Sequence, residues 1–434
     1  MSVEQQADFS MVAPLGRKPE ISVESGETID NGVSVPASSV PPRNVVFISH
    51  YSWRTGAPLV LLRLVEWLRA NTNLQLHVIL PDRGDLYQEF AAVSSVILRP
   101  RLPGILAKVL RRLWGQATVE SIEGMLLRRK VSRLQPALIY SNTITNTREV
   151  KALSGLGIPI LCHVHELEYW IRHQLGMERA LATLPLMRRF IAVSAEVKEF
   201  LVSGIGASED TVDVIHAFSS SPVLPGANGI RSAVRKELAI DEQTFLVGAC
   251  GSVDWRKGTD LFLALAKMAC RESAPELIRF VWVGGPLSGE YYDRLQHDIK
   301  QSGLSKSVIF VGPSSSPERY YASMDCFVLP SREDPCPLVV LEAAATGLPI
   351  VCFKGSGGAA DFVGADAGFA VPYLDIHAMA QAILELQKSP ELRRRLGSTA
   401  MARVRVRHDP DTQCKAIFNA MTRTQPLLAG AIRN

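Results

Sequence analysis

The sequence predicts an α/β protein of two doubly wound parallel-sheet domains facing each other across a cleft. Three observations carry that prediction. Beyond residue 43, short β-branched runs alternate with longer amphipathic stretches, the pattern of repeated βαβ units. The 434 residues, 47% of them hydrophobic, suffice for two cores of ordinary size. A Ser-, Pro- and Gly-rich stretch, SSSPVLPGANG at 219–229, divides the alternation into two halves.

Residues 1–43 show no periodicity and are rich in Ser, Pro, Glu and Gly, so they are expected to form a disordered lead-in. The first domain is expected over 44–222. Its strand-like runs are NVVFIS (44–49), LQLHVIL (74–80), SVIL (95–98), ALIYSN (137–142), IPILCHV (158–164), RFIAVS (189–194) and DVIHAF (213–218). The second domain, 223–408, contributes FLVGACG (245–251), IRFVWVGG (278–285), VIFVG (308–312), CFVLP (326–330) and PIVCF (349–353). Amphipathic patterns at 259–273 and 379–388 mark helices between them. A last helical pattern begins at 409, and periodicity alone leaves its packing partner open.

Composition excludes several classes. A net charge of +4 lacks the strong basic stripe of a nucleic-acid binder. The seven cysteines are scattered, with no CxxC pair, which suits reduced buried thiols rather than a disulfide framework. No apolar run approaches the ~18–20 residues of a membrane span, and the first residues lack the basic start and apolar core of a secretory signal. A soluble, cytoplasmic protein is expected. One local feature departs from the mild average. Between Arg99 and Arg133 nine basic residues face only Glu120 and Glu123, interleaved with Ile, Leu, Val and Trp. Such a segment suits the anionic surface of a membrane, or equally a solvated helical face.

In open parallel sheets ligands bind beyond the carboxyl ends of strands, so the polar residues after each run are the candidates. Gly56 opens a helix after NVVFIS and would let backbone N–H groups approach a ligand, unless it is a plain tight turn. His165 and Glu166 follow IPILCHV. They lack the third ligand and spacing of a zinc site, and His165 suits hydrogen bonding to a sugar or a purely structural role. Gly251, Arg256 and Lys257 follow FLVGAC, ahead of Gly258 and a helix start; two cations there would favour a diphosphate over a merely solvated turn. Finally SREDPCPLVVLEAAATG (331–347) places Glu333 and Asp334 in a loop and Glu342 on an otherwise apolar helix. A carboxylate there needs a partner from elsewhere: a ribose diol, or an arginine across the core.

These residues resemble a known family. DPCPLVVLEAAATGLPIV is similar to the acidic-x7-acidic motif of retaining GT-B glycosyltransferases of family 4, with Asp334 and Glu342 at its two ends. RKG at 256–258 resembles the same family's basic turn, and IYSN, HVHE, IAVS and SGGAADFV (356–363) follow in the expected order over roughly residues 44–420. The resemblance implies the GT-B fold, with the 409–434 segment crossing back to the first domain. It also implies a metal-independent, cofactor-free retaining transfer from a nucleotide-diphosphate sugar to a glycan or lipid-linked acceptor, in surface polysaccharide or glycoconjugate synthesis. On that reading Glu342 takes the ribose hydroxyls, Asp334 with Glu333 orients the transferred sugar, and Lys257 with Arg256 holds the diphosphate. His165 lies near the reacting sugar, and Gly56, Gly251, Leu338 and Val339 complete the donor site. Three positions depart from the pattern: Ser252 where arginine is common, and Asp334 and Asp361 where glutamate is common. Ser252 and Asp334 keep open a non-catalytic nucleotide-sugar-binding subunit; a nucleotide-sugar epimerase of the same two-domain architecture is a further alternative, which the acidic motif and RKG turn disfavour.

Overall fold

Alternate residues of the first strand point to opposite faces, and both faces are covered. Val45 and Phe47 enter one apolar cluster, Val46 and Ile48 another. The computed structural model describes residues 43–219, 227–273 and 277–433. The first sheet comprises β1 (Asn44–Ile48), β2 (Gln75–Leu80), β3 (Ser95–Leu98), β4 (Leu138–Ser141), β5 (Ile160–Val164), β6 (Arg189–Ala192) and β7 (Val212–Val214). Its order is β3-β2-β1-β4-β5-β6-β7, with every pairing parallel. The second comprises β8 (Phe245–Cys250), β9 (Ile278–Val283), β10 (Val308–Gly312), β11 (Cys326–Leu329), β12 (Ile350–Phe353) and β13 (Gly368–Val371). Its order β10-β9-β8-β11-β12-β13 is again all parallel.

The chain thus forms two doubly wound α/β domains, and in each the strand order reverses beside the first strand. The switch points fall between β1 and β4 and between β8 and β11, where a crevice opens beyond the carboxyl ends. Two strands differ from the sequence reading. The run at 213–218 pairs only over Val212–Val214; beyond Ile215, whose N–H still donates to Ala192, the chain leaves the sheet edge and buries Ala217 and Phe218. Strand β13, GFAV, was not foreseen because four residues beginning with glycine carry too little β-pattern. The lead-in expected over 1–43 and most of the seam at 219–229 lie outside the described residues.

The helix Pro410–Thr424 opens on an Asp409 cap that accepts from the Thr412 N–H, and buries Cys414, Ile417, Phe418, Ala420 and Met421. These join the cluster that holds Val45, Phe47, Leu61 and Leu64 of the first domain. Trp67 Nε1 donates to Asp411 at 3.0 Å, and Gln425 Nε2 donates to the Ala137 carbonyl at 3.0 Å. This helix therefore packs against the first sheet. Phe418 is 1% exposed in this contact. Phe418→Ala should cost about 3–5 kcal/mol in denaturant unfolding; a loss below about 1 kcal/mol would show that the helix does not anchor the first domain.

Candidate active site

The two switch points face one cleft of about 450 Å³. His50, Thr55, Gly56, His165 and Glu166 line it from the first domain, and Arg256, Lys257, Glu333, Asp334 and Glu342 from the second. The loop after β8 must pass close beneath the loop after β11, and Gly258 makes this feasible. Its φ is +74°, and a Cβ there would overlap the Pro330 carbonyl oxygen. The turn delivers Lys257, whose Nζ lies 2.5 Å from Asp334 Oδ2. Sequence reasoning gave these two residues separate ligands; the structure joins them in one desolvated ion pair. The loop at 354–358 backs Asp334. Its N–H donates to the Ser356 carbonyl at 2.6 Å, and a side chain at Gly357 (φ +126°) would collide with the Asp334 carbonyl.

Arg256 also lines the cleft, but its guanidinium donates to the Glu333 carbonyl at 2.9 Å and sits over the Trp170 ring, 5.6 Å from its centroid. Glu333 accepts from the Trp170 N–H at 3.5 Å with Oε1, while Oε2 is buried with no partner among the described residues. Burial raises its pKa.

At the other end of the cleft stands Glu342, on the helix Leu338–Ala345. It is not the unpaired carboxylate that the sequence suggested. Tyr321 Oη donates to its Oε2 at 3.0 Å, a contact across 21 residues that no helical spacing reveals. Burial pushes the Glu342 carboxyl up, partly offset by that hydrogen bond. Leu338 and Val339 line the same wall. Gly56 lies opposite, and a Cβ there would meet only Leu338 at 3.7 Å, so the site itself does not require glycine. Gly251 does not line the cleft. It packs beside the Lys257 side chain, and its carbonyl accepts from Trp282 Nε1 at 3.1 Å. Asp361 is also outside, paired with Arg407 at 2.8 Å.

The first-domain wall holds a buried polar group that sequence reasoning saw only in part. Burial, with His163 and His50 nearby, drives the His165 pKa well below its ordinary value, so the ring is neutral. His163 falls to about 3 by burial, and its Nδ1 lies 2.6 Å from Tyr140 Oη. His50, at the carboxyl end of β1, falls to about 4 through burial and the Arg99 charge. Glu166 accepts from Thr143 Oγ1 and from the His165 N–H, the latter at 3.0 Å, and burial lifts its pKa to about 7. His50 and Tyr321 were missed as site residues; the post-strand position of His50 was the available signal, whereas Tyr321 offered none. The described residues contain no cluster of three or more His, Cys, Asp or Glu arranged to hold a metal ion.

The cleft therefore holds a lysine paired with an aspartate, a buried carboxylate bonded to a tyrosine and a neutral imidazole. Comparisons with known proteins bear on the two domains that form this cleft. Residues 54–218 match the family model described as Glycosyltransferase Family 4, and residues 230–403 that of Glycosyl transferases group 1. The two matches fall on the two α/β domains, and the chain has the GT-B fold. It is 32% identical to the lipopolysaccharide core biosynthesis mannosyltransferase LpsB of Rhizobium meliloti over 28% of this chain and 34% of that protein. It is 28% identical to a D-inositol 3-phosphate glycosyltransferase of Nocardia farcinica over 62% of this chain and 57% of that one. The match thus spans about a third to just over half of these relatives' lengths. The crystal structure of Anabaena HepE with UDP and glucose superposes with a TM-score of 0.74 at 20% identity, covering 87% of this chain and 99% of that one, and shares the fold.

Glu166 yields a pH test. Its folded pKa of about 7 exceeds the ordinary 4.5, so the stability it lends is full below about 4.5 and is lost as pH rises through 7. Glu166→Gln should therefore gain on wild type, by up to about 3 kcal/mol, as denaturant unfolding is followed from about pH 5 to about pH 8. A pH-independent difference would refute the shift.

Proposed function

We propose that this protein transfers a sugar from a nucleoside-diphosphate sugar to a hydroxyl of a glycan or lipid-linked acceptor, with retention of configuration and without a metal ion. What supports the reading above all is that Glu342 and the Lys257–Asp334 pair line one cleft at two facing switch points. Glu342 accepts the ribose hydroxyls. Lys257, exchanging Asp334 for phosphate, meets the negative charge that grows on the leaving diphosphate, together with the N–H groups opening the helix Thr259–Glu272. Asp334, freed from part of its lysine contact, and Glu333 hold the transferred sugar. His165, being neutral, donates or accepts a hydrogen bond at that sugar rather than opposing its cationic character.

Retention follows a front-side route in which the departing phosphate takes the acceptor proton. These carboxylates do not act as a glycosidase acid–base pair, because Glu342 is engaged by the nucleotide. The names of the relatives, a lipopolysaccharide core mannosyltransferase and an inositol phosphate glycosyltransferase, support a place in glycoconjugate synthesis.

A lipid-linked acceptor fits one further surface. The helical stretch Gly104–Ser132 breaks at Gly115, and its first part exposes Ile105, Leu113 and Trp114 beside Lys108, Arg111 and Arg112. We assign this face to an anionic membrane on the cytoplasmic side. No helix among the described residues is long and apolar enough to cross a membrane.

The defining experiment is incubation with a panel of nucleotide sugars, following nucleoside diphosphate release with and without acceptor; no release from any donor would reject catalysis. Lys257→Ala should lower kcat by roughly 10²–10³ while the fold persists, and a wild-type rate would remove the lysine from the reaction. Glu342→Ala should weaken nucleotide-sugar binding roughly tenfold or more, read by calorimetry; unchanged affinity would dismiss the ribose assignment.

A further inference from the structure

A second concavity of about 630 Å³ lies on the far side of Glu333 from the donor cleft. Its walls are the 167–172 and 196–204 segments of the first domain and Arg332, Glu333 and Gly355 of the second. The short helix Glu168–Trp170 separates the two spaces: Trp170 faces the donor cleft and Tyr169 the groove. Apart from Glu333, which the two spaces share, no residue of the proposed donor site lines it.

Two features show what it would bind. Glu333 is 8% exposed and its Oε2 has no partner among the described residues; the same is true of the buried Oε2 of Glu196 on the facing wall. Both oxygens are acceptors without a donor and closed to solvent as they stand, so a turn of either side chain toward the groove would let a ligand hydroxyl satisfy it. The cations nearby are already engaged. Arg172 Nε holds Glu168 at 2.6 Å, and Arg332 forks onto Asp260 at 2.7 and 2.8 Å. An anionic ligand such as a phosphate would meet carboxylates without a free cation, so the groove favours a neutral donor of several hydroxyls. The second feature is aromatic. Tyr169 is 41% exposed on the groove wall, with its ring 4.3 Å from that of His173 and 5.2 Å from that of Trp255, itself 45% exposed. A half-exposed aromatic ring on a groove that carries two carboxylates matches a sugar ring, apolar on its C–H face and hydroxylated at its edge.

We propose that this groove is a saccharide-binding subsite, with Tyr169 as the stacking face and Glu196 and Glu333 as hydroxyl acceptors. Resting on the transferase reading, it receives the sugar units of a glycan acceptor next to the site of transfer. The monosaccharide to be glycosylated would then sit at Glu333, shared by groove and cleft, with the following unit over Tyr169.

Saturation-transfer NMR on the full chain tests the assignment, using methyl α-mannoside, methyl α-glucoside, maltose and α-linked mannobiose as probes, with and without UDP. The expected result is transfer to ring protons of at least one saccharide, larger for a disaccharide than for its monosaccharide, and persisting under UDP. Tyr169→Ala and Glu196→Gln should each reduce it about fivefold or more, with wild-type melting temperature and UDP affinity retained. No transfer from any probe, abolition by UDP, or equal signals in both variants would overturn the groove. UDP affinity is measured separately by calorimetry, so failure of UDP to bind counts against the donor reading while the saccharide signals still judge the groove.

Discussion

The cleft is organised around a lysine–aspartate pair that has left water. Lys257 and Asp334 are 14% and 8% exposed, and removing two such charges from solvent is costly unless geometry and further hydrogen bonds offset it. Those bonds are present: the Lys257 N–H donates to Asp254 Oδ1 at 2.8 Å, and the Asp334 N–H to the Ser356 carbonyl. Gly258 and Gly357 permit the backbone approaches that bring the three loops together. The pair thus joins the ends of β8 and β11, and the loop after β12 behind them, into one rigid wall. On the function proposed above, an incoming diphosphate would meet a lysine already dehydrated and aimed, and would replace one anion with another, most of the desolvation having occurred in folding.

Around this pair the same chemical group is given different characters by its surroundings. Asp334 faces a cation. Glu342 is pushed up by burial yet held by Tyr321, and Glu166 lies near neutrality, bonded to Thr143 and the His165 N–H. The histidines on the first-domain wall are neutral because burial and mutual proximity disfavour their charged forms. Positive charge in the cleft falls on Lys257 and Arg256 of the second domain and on Arg54 of the first, the last paired with Glu89 at 2.7 Å.

Much of this was legible in the linear chain. The alternation of apolar runs located twelve of the thirteen described strands, because a buried parallel strand must be apolar on both faces. Placing candidates after strand ends found His165, Arg256, Lys257 and Asp334, since both the switch-point rule and the helix starts are local features. The errors are of one kind. Glu342 was expected to take a ribose diol or a distant arginine, whereas the structure gives it Tyr321, on the short helix Glu318–Tyr321 before β11. Gly251 was placed in the cleft by proximity to Lys257 in sequence, but its carbonyl turns away to Trp282. Arg256 was counted as a free cation, and the structure engages it with the Glu333 carbonyl and Trp170.

The sequence by itself determined the two-sheet architecture, the strand-to-helix turns and the kinds of side chain they carry, because periodicity, turn residues and helix starts act over a few residues. Only the tertiary structure decided which of those side chains meet. The Lys257–Asp334 pair spans 77 positions, and the groove bounded by Tyr169, Glu196 and Glu333 draws on both domains. Partners that distant are chosen by how sheets and loops pack, and packing leaves no periodic mark in the chain.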